Sequence, residues 1–220
     1  MIGAIELHGV LPRVFAGMEH EWPVKESQVW LRDVTFRRDG GNYLVQAESG
    51  TGKSSLCSFI TGSRSDYSGI IAMDGVDCRS FSMKRWSALR CRSFALLPQE
   101  LRLFPELTAL ENVEIKNRLT GFKTVAWIAA AFERMGIADK LHSRAGMLSV
   151  GQQQRLAIIR AVCQPFDFLI IDEPVSHLDE RNNRVVAELL QEEARAQGSA
   201  IIATSVGNHI KLNYSATLLL

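Results

Sequence analysis

Apolar residues follow three different rhythms along this chain, and each rhythm predicts a different element. Phe168-Leu169-Ile170-Ile171 is a continuous apolar run, the pattern of a central parallel strand covered on both faces. Leu156, Ile159 and Val162 recur at every third position, which puts them on one face of a helix over 151–163. The short alternation at 43–46 reads as a strand and leads, through a glycine-bearing stretch, into an apolar helical run at 56–60. By the same rules strands are predicted at 5–15, at 29–36 before the turn Asp39-Gly40-Gly41, and at 68–75, 93–97, 199–204 and 216–220. Pro12 argues that the first of these lies at a sheet edge or breaks there. Helices are predicted over 82–90, 109–119, 123–135, 139–142 and 180–197; Asp179 can cap the last and Gly198 stops it. The beginning of the chain therefore reads as antiparallel and peripheral, the later strands as parallel and buried. The stretch 99–148 reads as a helical insert in an α/β core.

Composition narrows this picture without redirecting it. At 220 residues, with 46% hydrophobic and 22% charged, the chain has ample material for a globular core in one large domain or two small ones. A net charge of +1 leaves no global field toward nucleic acid or anionic lipid, and Lys84, Arg85, Arg90 and Arg92 read as a solvated helix face. Cys57, Cys78, Cys91 and Cys163 show neither C-x-x-C pairing nor nearby histidines, so reduced packing residues are expected. The first residues lack the pattern of an export signal, and no apolar run approaches the roughly 20 residues that span a bilayer. A cytoplasmic chain is expected, attached to a membrane only through a partner.

Candidate chemistry concentrates in three places. The stretch Gln46-Ala47-Glu48-Ser49-Gly50-Thr51-Gly52-Lys53-Ser54-Ser55, between strand and helix, is the setting in which a glycine-rich loop cradles phosphate. Gly50 and Gly52 let backbone N–H groups turn inward, and the helix beginning near Lys53 adds its dipole. Lys53 would reach the β and γ phosphates, and the Ser54 hydroxyl would hold Mg²⁺. Asp172-Glu173 closes the central strand, where open α/β sheets place their ligands. Asp172 would orient the Mg²⁺ through water and Glu173 would polarise the attacking water; the plain alternative is a strand ending in solvated acids. Finally, Ser149 and Gln152 have capping-box spacing, so a helix begins at Ser149. Its tip, with Gly151, could serve as a second anion site, although capping and phosphate binding compete for one hydroxyl.

Lys53, Gln99, the segment 148–152, the strand end 169–173 and Ser176-His177-Leu178-Asp179 occur in an order and spacing that resemble the ATP-binding cassette (ABC) ATPases over nearly the whole chain. The run 103–113 after Gln99 is similar to the ATPases of lipoprotein-release, macrolide-export and cell-division transporters. This resemblance implies an α/β fold with a P-loop NTPase core: a central, mainly parallel sheet, an N-terminal antiparallel β subdomain and an inserted helical subdomain. One domain, 1–220, would divide into an antiparallel part (1–45), a core (46–98 and 149–220) and a helical part (99–148). It further implies ATP and Mg²⁺ as ligands and a head-to-tail homodimer or heterodimer. Each ATP would be held by residues 48–55 (Glu48, Ser49, Gly50, Thr51, Gly52, Lys53, Ser54, Ser55) of one subunit. Ser149, Val150, Gly151 and Gln152 of the other would close over it. Gln99 would touch Mg²⁺ and the attacking water, and link them to the insert, which would receive a membrane permease on the inner face. Phe15 falls where the family places an aromatic that stacks on adenine, the alternative being one more core phenylalanine. Asp179 resembles the loop acid that crosses the dimer interface, although capping explains it equally well.

Three departures from the family pattern matter. Ala47 replaces the first glycine of the loop, which is strained only if φ there is positive. Val150 replaces the first glycine of the signature. Ser205 stands where a histidine should contact the γ-phosphate, and serine has neither the reach nor the cationic form of imidazole. His209 lies four residues further on and would aim the same way if a helical turn intervened. The expectation is an ATPase that energises a permease and turns over slowly. The competing reading is a hydrolysis-impaired module that signals by dimerising around ATP. A DNA-maintenance ATPase is disfavoured because 99–148 is too short for a long coiled coil.

Overall fold

The computed structural model describes residues 1–173, 180–207 and 209–220. Two sheets carry the fold. The first is antiparallel, in the order β2-β1-β4-β5, from β1 (Ala4–Pro12), β2 (Asp33–Arg37), β4 (Tyr67–Met73) and β5 (Val76–Asp77). The second is parallel throughout, in the order β6-β7-β8-β3-β9, from β3 (Asn42–Gln46), β6 (Phe94–Leu97), β7 (Phe168–Asp172), β8 (Ala200–Ser205) and β9 (Tyr214–Leu219). The helices are α1 (Lys53–Ile60), α2 (Met83–Arg92), α3 (Ala109–Asn117), α4 (Val125–Arg134), α5 (Val150–Ala161) and α6 (Glu180–Gln197).

The unbroken apolar run of β7 has the expected meaning. Leu169 and Ile171 join a cluster with α3 to α6, while Phe168 and Ile170 join a second cluster that holds α1 and the antiparallel sheet. Each of these side chains is 0% exposed. Burying one contributes roughly 1.5–3 kcal/mol, so both faces of the parallel sheet are firmly covered. The helix over α5 is enclosed more widely than a one-face pattern implies, for Ala157 and Ile158 are buried along with Leu156, Ile159 and Val162.

Several boundaries move for identifiable reasons. β1 is not an edge strand: β2 and β4 flank it. Pro12 is tolerated because pairing with β2 ends at His8, a bulge follows, and beyond it only β4 remains as a neighbour. β2 starts at Asp33 rather than at 29, because the Ser27 hydroxyl accepts from the N–H groups of Val29 and Trp30 (3.0 and 2.8 Å) and folds that run into a turn. The turn at Asp39-Gly40-Gly41 does not close a hairpin; β2 and β3 belong to different sheets. The antiparallel sheet therefore draws on β4 and β5 as well as on the first 45 residues. Over 139–142 only a short 3₁₀ turn, Ala138–Lys140, forms.

Helices α3 and α4 pack on α5. Helix α4 and Lys123 just before it are fastened to α6: Lys123 pairs with Glu193 at 2.5 Å, the Trp127 indole donates to Glu193 at 3.1 Å, and Arg134 meets Glu192 at 2.5 Å. What positions the site is the adjacency of β7, β8 and β3. Their C-terminal ends lie side by side, Asp172 opposite Thr204 and Gln46 opposite Ser205.

Candidate active site

The loop between β3 and α1 leaves the sheet at that edge. The Ala47 N–H donates to the Ser205 carbonyl at 3.0 Å, and Ala47 is absent from the positive-φ residues, so the alanine in place of glycine is unstrained. Gly50 (φ 84) and Gly52 (φ 102) do need their freedom, and a Cβ on Gly52 would meet Trp30 at 3.0 Å. The loop is braced from within: the Thr51 hydroxyl and the Lys53 ammonium both donate to the Glu48 carbonyl, at 3.0 and 2.9 Å. From outside, the Trp30 indole N–H donates to the Thr51 carbonyl at 2.9 Å.

Gly52 caps α1 with no side-chain hydrogen bond, whereas α2, α3, α4 and α5 are each capped by a serine or threonine hydroxyl. Among the α-helices with a described N-cap, α1 alone offers its first N–H groups without a side-chain acceptor, in a loop whose one ammonium is 7% exposed. That combination is chemically suited to an anion.

Beside it, Ser54, Gln99 and Asp172 line one cleft of about 170 Å³. A hydroxyl, an amide and a carboxylate form an all-oxygen donor set that fits a hard divalent cation with phosphate and water as further ligands. Asp172 is 6% exposed and accepts from the Thr204 hydroxyl at 3.0 Å, which fixes its orientation. Cys57 lines the same cleft; its thiol is pushed well above the ordinary value, by burial first and by the Asp172 charge second, and stays a neutral packing group. Glu173 adopts a left-handed backbone (φ 48), which costs on the order of 1–3 kcal/mol and turns the chain out of the strand at this point. After Gln99, Leu101 and Arg102 are left-handed too (φ 54 and 48), and Arg160 of α5 grips both of their carbonyls. The segment bearing Gln99 is thus tied to the helix that begins at Ser149.

At that helix the capping box is closed. The Ser149 N–H donates to Gln152 Oε1 at 2.9 Å and the Gln152 N–H to Ser149 Oγ at 3.4 Å. Ser149 and Val150 are exposed and Gly151 half-buried. Ser149, Val150, Gly151 and Gln152 therefore form a tip of their own, on α5, apart from the cleft that gathers Ser54, Gln99 and Asp172.

Three further candidate residues take these places. Phe15 is 7% exposed, packed in the core cluster with its ring edge near Gly52, and leaves little face to stack on a base; it supports the loop from beneath. Ser205 is 1% exposed at the end of β8. His209 does not turn toward Ser205: its ring lies edge-on to Tyr214 at 5.6 Å. The segment from Ser176 to Asp179 lies outside the described residues. Trp30 and Thr204, which hold the loop and the buried aspartate, were not foreseen. A polar residue inside an apolar strand was the available signal for Thr204; Trp30 gave none.

The family model for the ABC transporter matches residues 32–176. An ABC transporter ATP-binding protein of Bacillus subtilis, YtrE, is 33% identical over 190 residues, covering 84% of this chain and 80% of its own. The lipoprotein-releasing system ATP-binding protein LolD of Shewanella denitrificans is 32% identical, with 82% and 78% covered. A macrolide export ATP-binding/permease protein, MacB, of Rhodopseudomonas palustris is 35% identical over 86% of this chain, which spans only 30% of that longer relative. Among solved structures, a dimeric bacterial ABC transporter cassette superposes with a TM-score of 0.72 at 21% identity, covering 91% of this chain and 87% of that one. A post-hydrolysis dimer bound to ADP and phosphate gives 0.70 at 21%, with the same coverage. At that identity these two establish a shared fold.

Proposed function

The chain belongs to the ABC transporter family, as an ATP-binding subunit, and from there we propose that it clamps Mg-ATP between two subunits and hydrolyses it slowly to drive a membrane permease. The uncapped N-terminus of α1, beside a recessed lysine, is the observation that carries this reading. Glu48, Ser49, Gly50, Thr51 and Gly52 would surround the phosphates with backbone N–H groups, and Lys53 would swing from the Glu48 carbonyl to the β and γ oxygens. Ser54, Gln99 and Asp172 would hold Mg²⁺, which when bound neutralises charge on the transferring phosphoryl group. Glu173 would accept the proton of the attacking water as the bond from the γ-phosphorus to the leaving ADP oxygen breaks. Ser149, Gly151 and Gln152 would come from a second subunit, identical or not.

No described helix is long and apolar enough to cross a membrane, so attachment to the inner face of the membrane would run through the permease. The relatives named for lipoprotein release and macrolide export agree with such a partner.

Ser205 sets the rate in this reading. A serine buried to 1% at the end of β8 cannot extend to the γ-phosphate as an imidazole would. Losing a positioning contact of this kind costs about 3–4 kcal/mol of barrier, on the order of 10² to 10³ in rate. Steady-state phosphate release from the purified chain and from Ser205→His is the test. We expect a slow wild type and at least a tenfold gain; a fast wild type, or no gain in a variant that still melts cooperatively, would overturn it. The same residue favours one second reading, a module that dimerises on ATP with negligible turnover, and ATP-induced dimerisation without phosphate release would select it.

A further inference from the structure

We infer that Arg64, which lies outside every motif of the loop, is a positioning residue for the nucleotide, acting through the Ser55 hydroxyl. The inference rests on the nucleotide reading of residues 46–55. Arg64 follows α1 and is held on one edge by Asp66: Nε donates to Oδ1 at 2.9 Å and Nη2 to Oδ2 at 2.5 Å. Its guanidinium also lies over the Phe59 ring, 5.4 Å from the centroid. A guanidinium fixed on one edge and one face has little freedom left. The remaining nitrogen, Nη1, donates to Ser55 Oγ at 3.1 Å.

That bond decides what Ser55 can do. A hydroxyl has one hydrogen and two lone pairs, and one lone pair here is taken by a cation. The O–H is left to donate, and donation from a hydroxyl polarised by a guanidinium suits an anionic acceptor. Ser55 is the third residue of α1, the helix whose first N–H groups have no side-chain cap. A phosphate oxygen at that helix end is the acceptor that the geometry favours. The cradle would then be flanked by two cations: Lys53 braced inside the loop, and Arg64 acting one residue beyond Ser54. Since Lys53 serves the β and γ phosphates, the Arg64–Ser55 pair would serve the inner phosphates, which ATP and ADP share.

Calorimetric titration of Mg-ATP and Mg-ADP into wild type, Arg64→Ala, Arg64→Lys, Ser55→Ala and the double variant Arg64→Ala/Ser55→Ala tests this. Arg64→Ala is expected to weaken both nucleotides by the same factor, about 5- to 10-fold, as for loss of one charged hydrogen bond. The double variant should bind no worse than the weaker single one, because both changes remove the same interaction. Arg64→Lys keeps the charge but cannot bond Asp66 and Ser55 together, so it should fall between wild type and Arg64→Ala. Unchanged affinity in Arg64→Ala, or strictly additive losses in the double variant, would overturn the assignment. If wild type binds and Lys53→Ala does not, the nucleotide reading survives that failure; if wild type does not bind, both readings fall.

Discussion

Helices α1 and α5 both begin at a proposed nucleotide contact, α1 at the cleft and α5 apart from it, and the chain finishes the two in opposite ways. At α1 the cap is a left-handed glycine with no side-chain acceptor, Lys53 and Thr51 are buried, and Trp30 reaches in to hold the loop. At α5 a serine and a glutamine satisfy each other's backbone groups, and the tip is exposed, with Met147 82% and Val150 53% accessible. The first end is left open but recessed, so a ligand completes it inside one chain. The second is self-satisfied but protruding, and in the proposed dimer it would be reached from outside and its cap would yield. One subunit therefore carries a receptive half and a presenting half, and the asymmetry itself argues for head-to-tail pairing.

The largest effect should come from attacking the receptive half. Lys53→Ala removes the one ammonium of the loop, and ATP affinity is expected to fall by about 10² by calorimetry, the loss of charged hydrogen bonds to phosphate. The fold should survive, since the ring contacts beneath the loop remain. Affinity within threefold of wild type would mean that the open helix end is not where the phosphates sit, and the contrast with α5 would lose its meaning.

How much of this contrast could be read in advance depends on distance along the chain. The loop, Asp172-Glu173 and the Ser149–Gln152 box were legible because each depends on neighbours within a few residues. The helix over 180–197 was legible to its last residue because Gly198 follows it. The braces were not: Trp30 acts 21 residues away on Thr51, and Thr204 acts 32 residues away on Asp172. Sheet membership was equally hidden. The runs at 43–46 and 68–75 predict strands, but not that the first joins the parallel sheet and the second the antiparallel one. For Phe15 the sequence left stacking and core packing equally open, and its burial in the cluster that also holds Trp30 selects the core.

A middle-sized effect should separate the two duties of Ser149. Ser149→Ala loses the cap, about 1 kcal/mol of stability, together with any phosphate contact. Ser149→Asp keeps a good cap and brings negative charge to the point where a partner's phosphate would arrive. The expected result is a melting temperature near wild type for Ser149→Asp and a lower one for Ser149→Ala. ATP binding to the lone chain should be intact in both, and ATP-induced dimerisation should be weakened at least tenfold in Ser149→Asp, as read by light scattering. Normal dimerisation of Ser149→Asp would leave α5 as nothing more than a well-capped helix.

The smallest effect probes how the presenting half is carried. Helices α3 and α4 pack on α5, and α4 is fastened to α6 in part by Arg134, which grips Glu192 at 2.5 and 2.8 Å and stands 3.7 Å from Glu188. The Arg134 hydrogen bond holds the Glu192 carboxyl below its ordinary value of 4.5, with slight burial opposing. Because the folded value is the lower one, the contribution is complete above the unfolded value. It fades only as pH falls through the folded value, where the carboxylate takes up its proton. Glu192 is 61% exposed, so solvent screening limits the pair to about 0.5 kcal/mol. Glu192→Gln should accordingly lower the melting temperature by about 1–2 °C at pH 7, equally at pH 6, with the difference closing as pH falls beneath the ordinary carboxyl value of 4.5. A difference that persists at pH 3 would show that Glu192 works through packing rather than charge. A difference of several degrees at pH 7 would show that the insert, and with it the tip of α5, hangs on this clamp far more than on its buried contacts with α5.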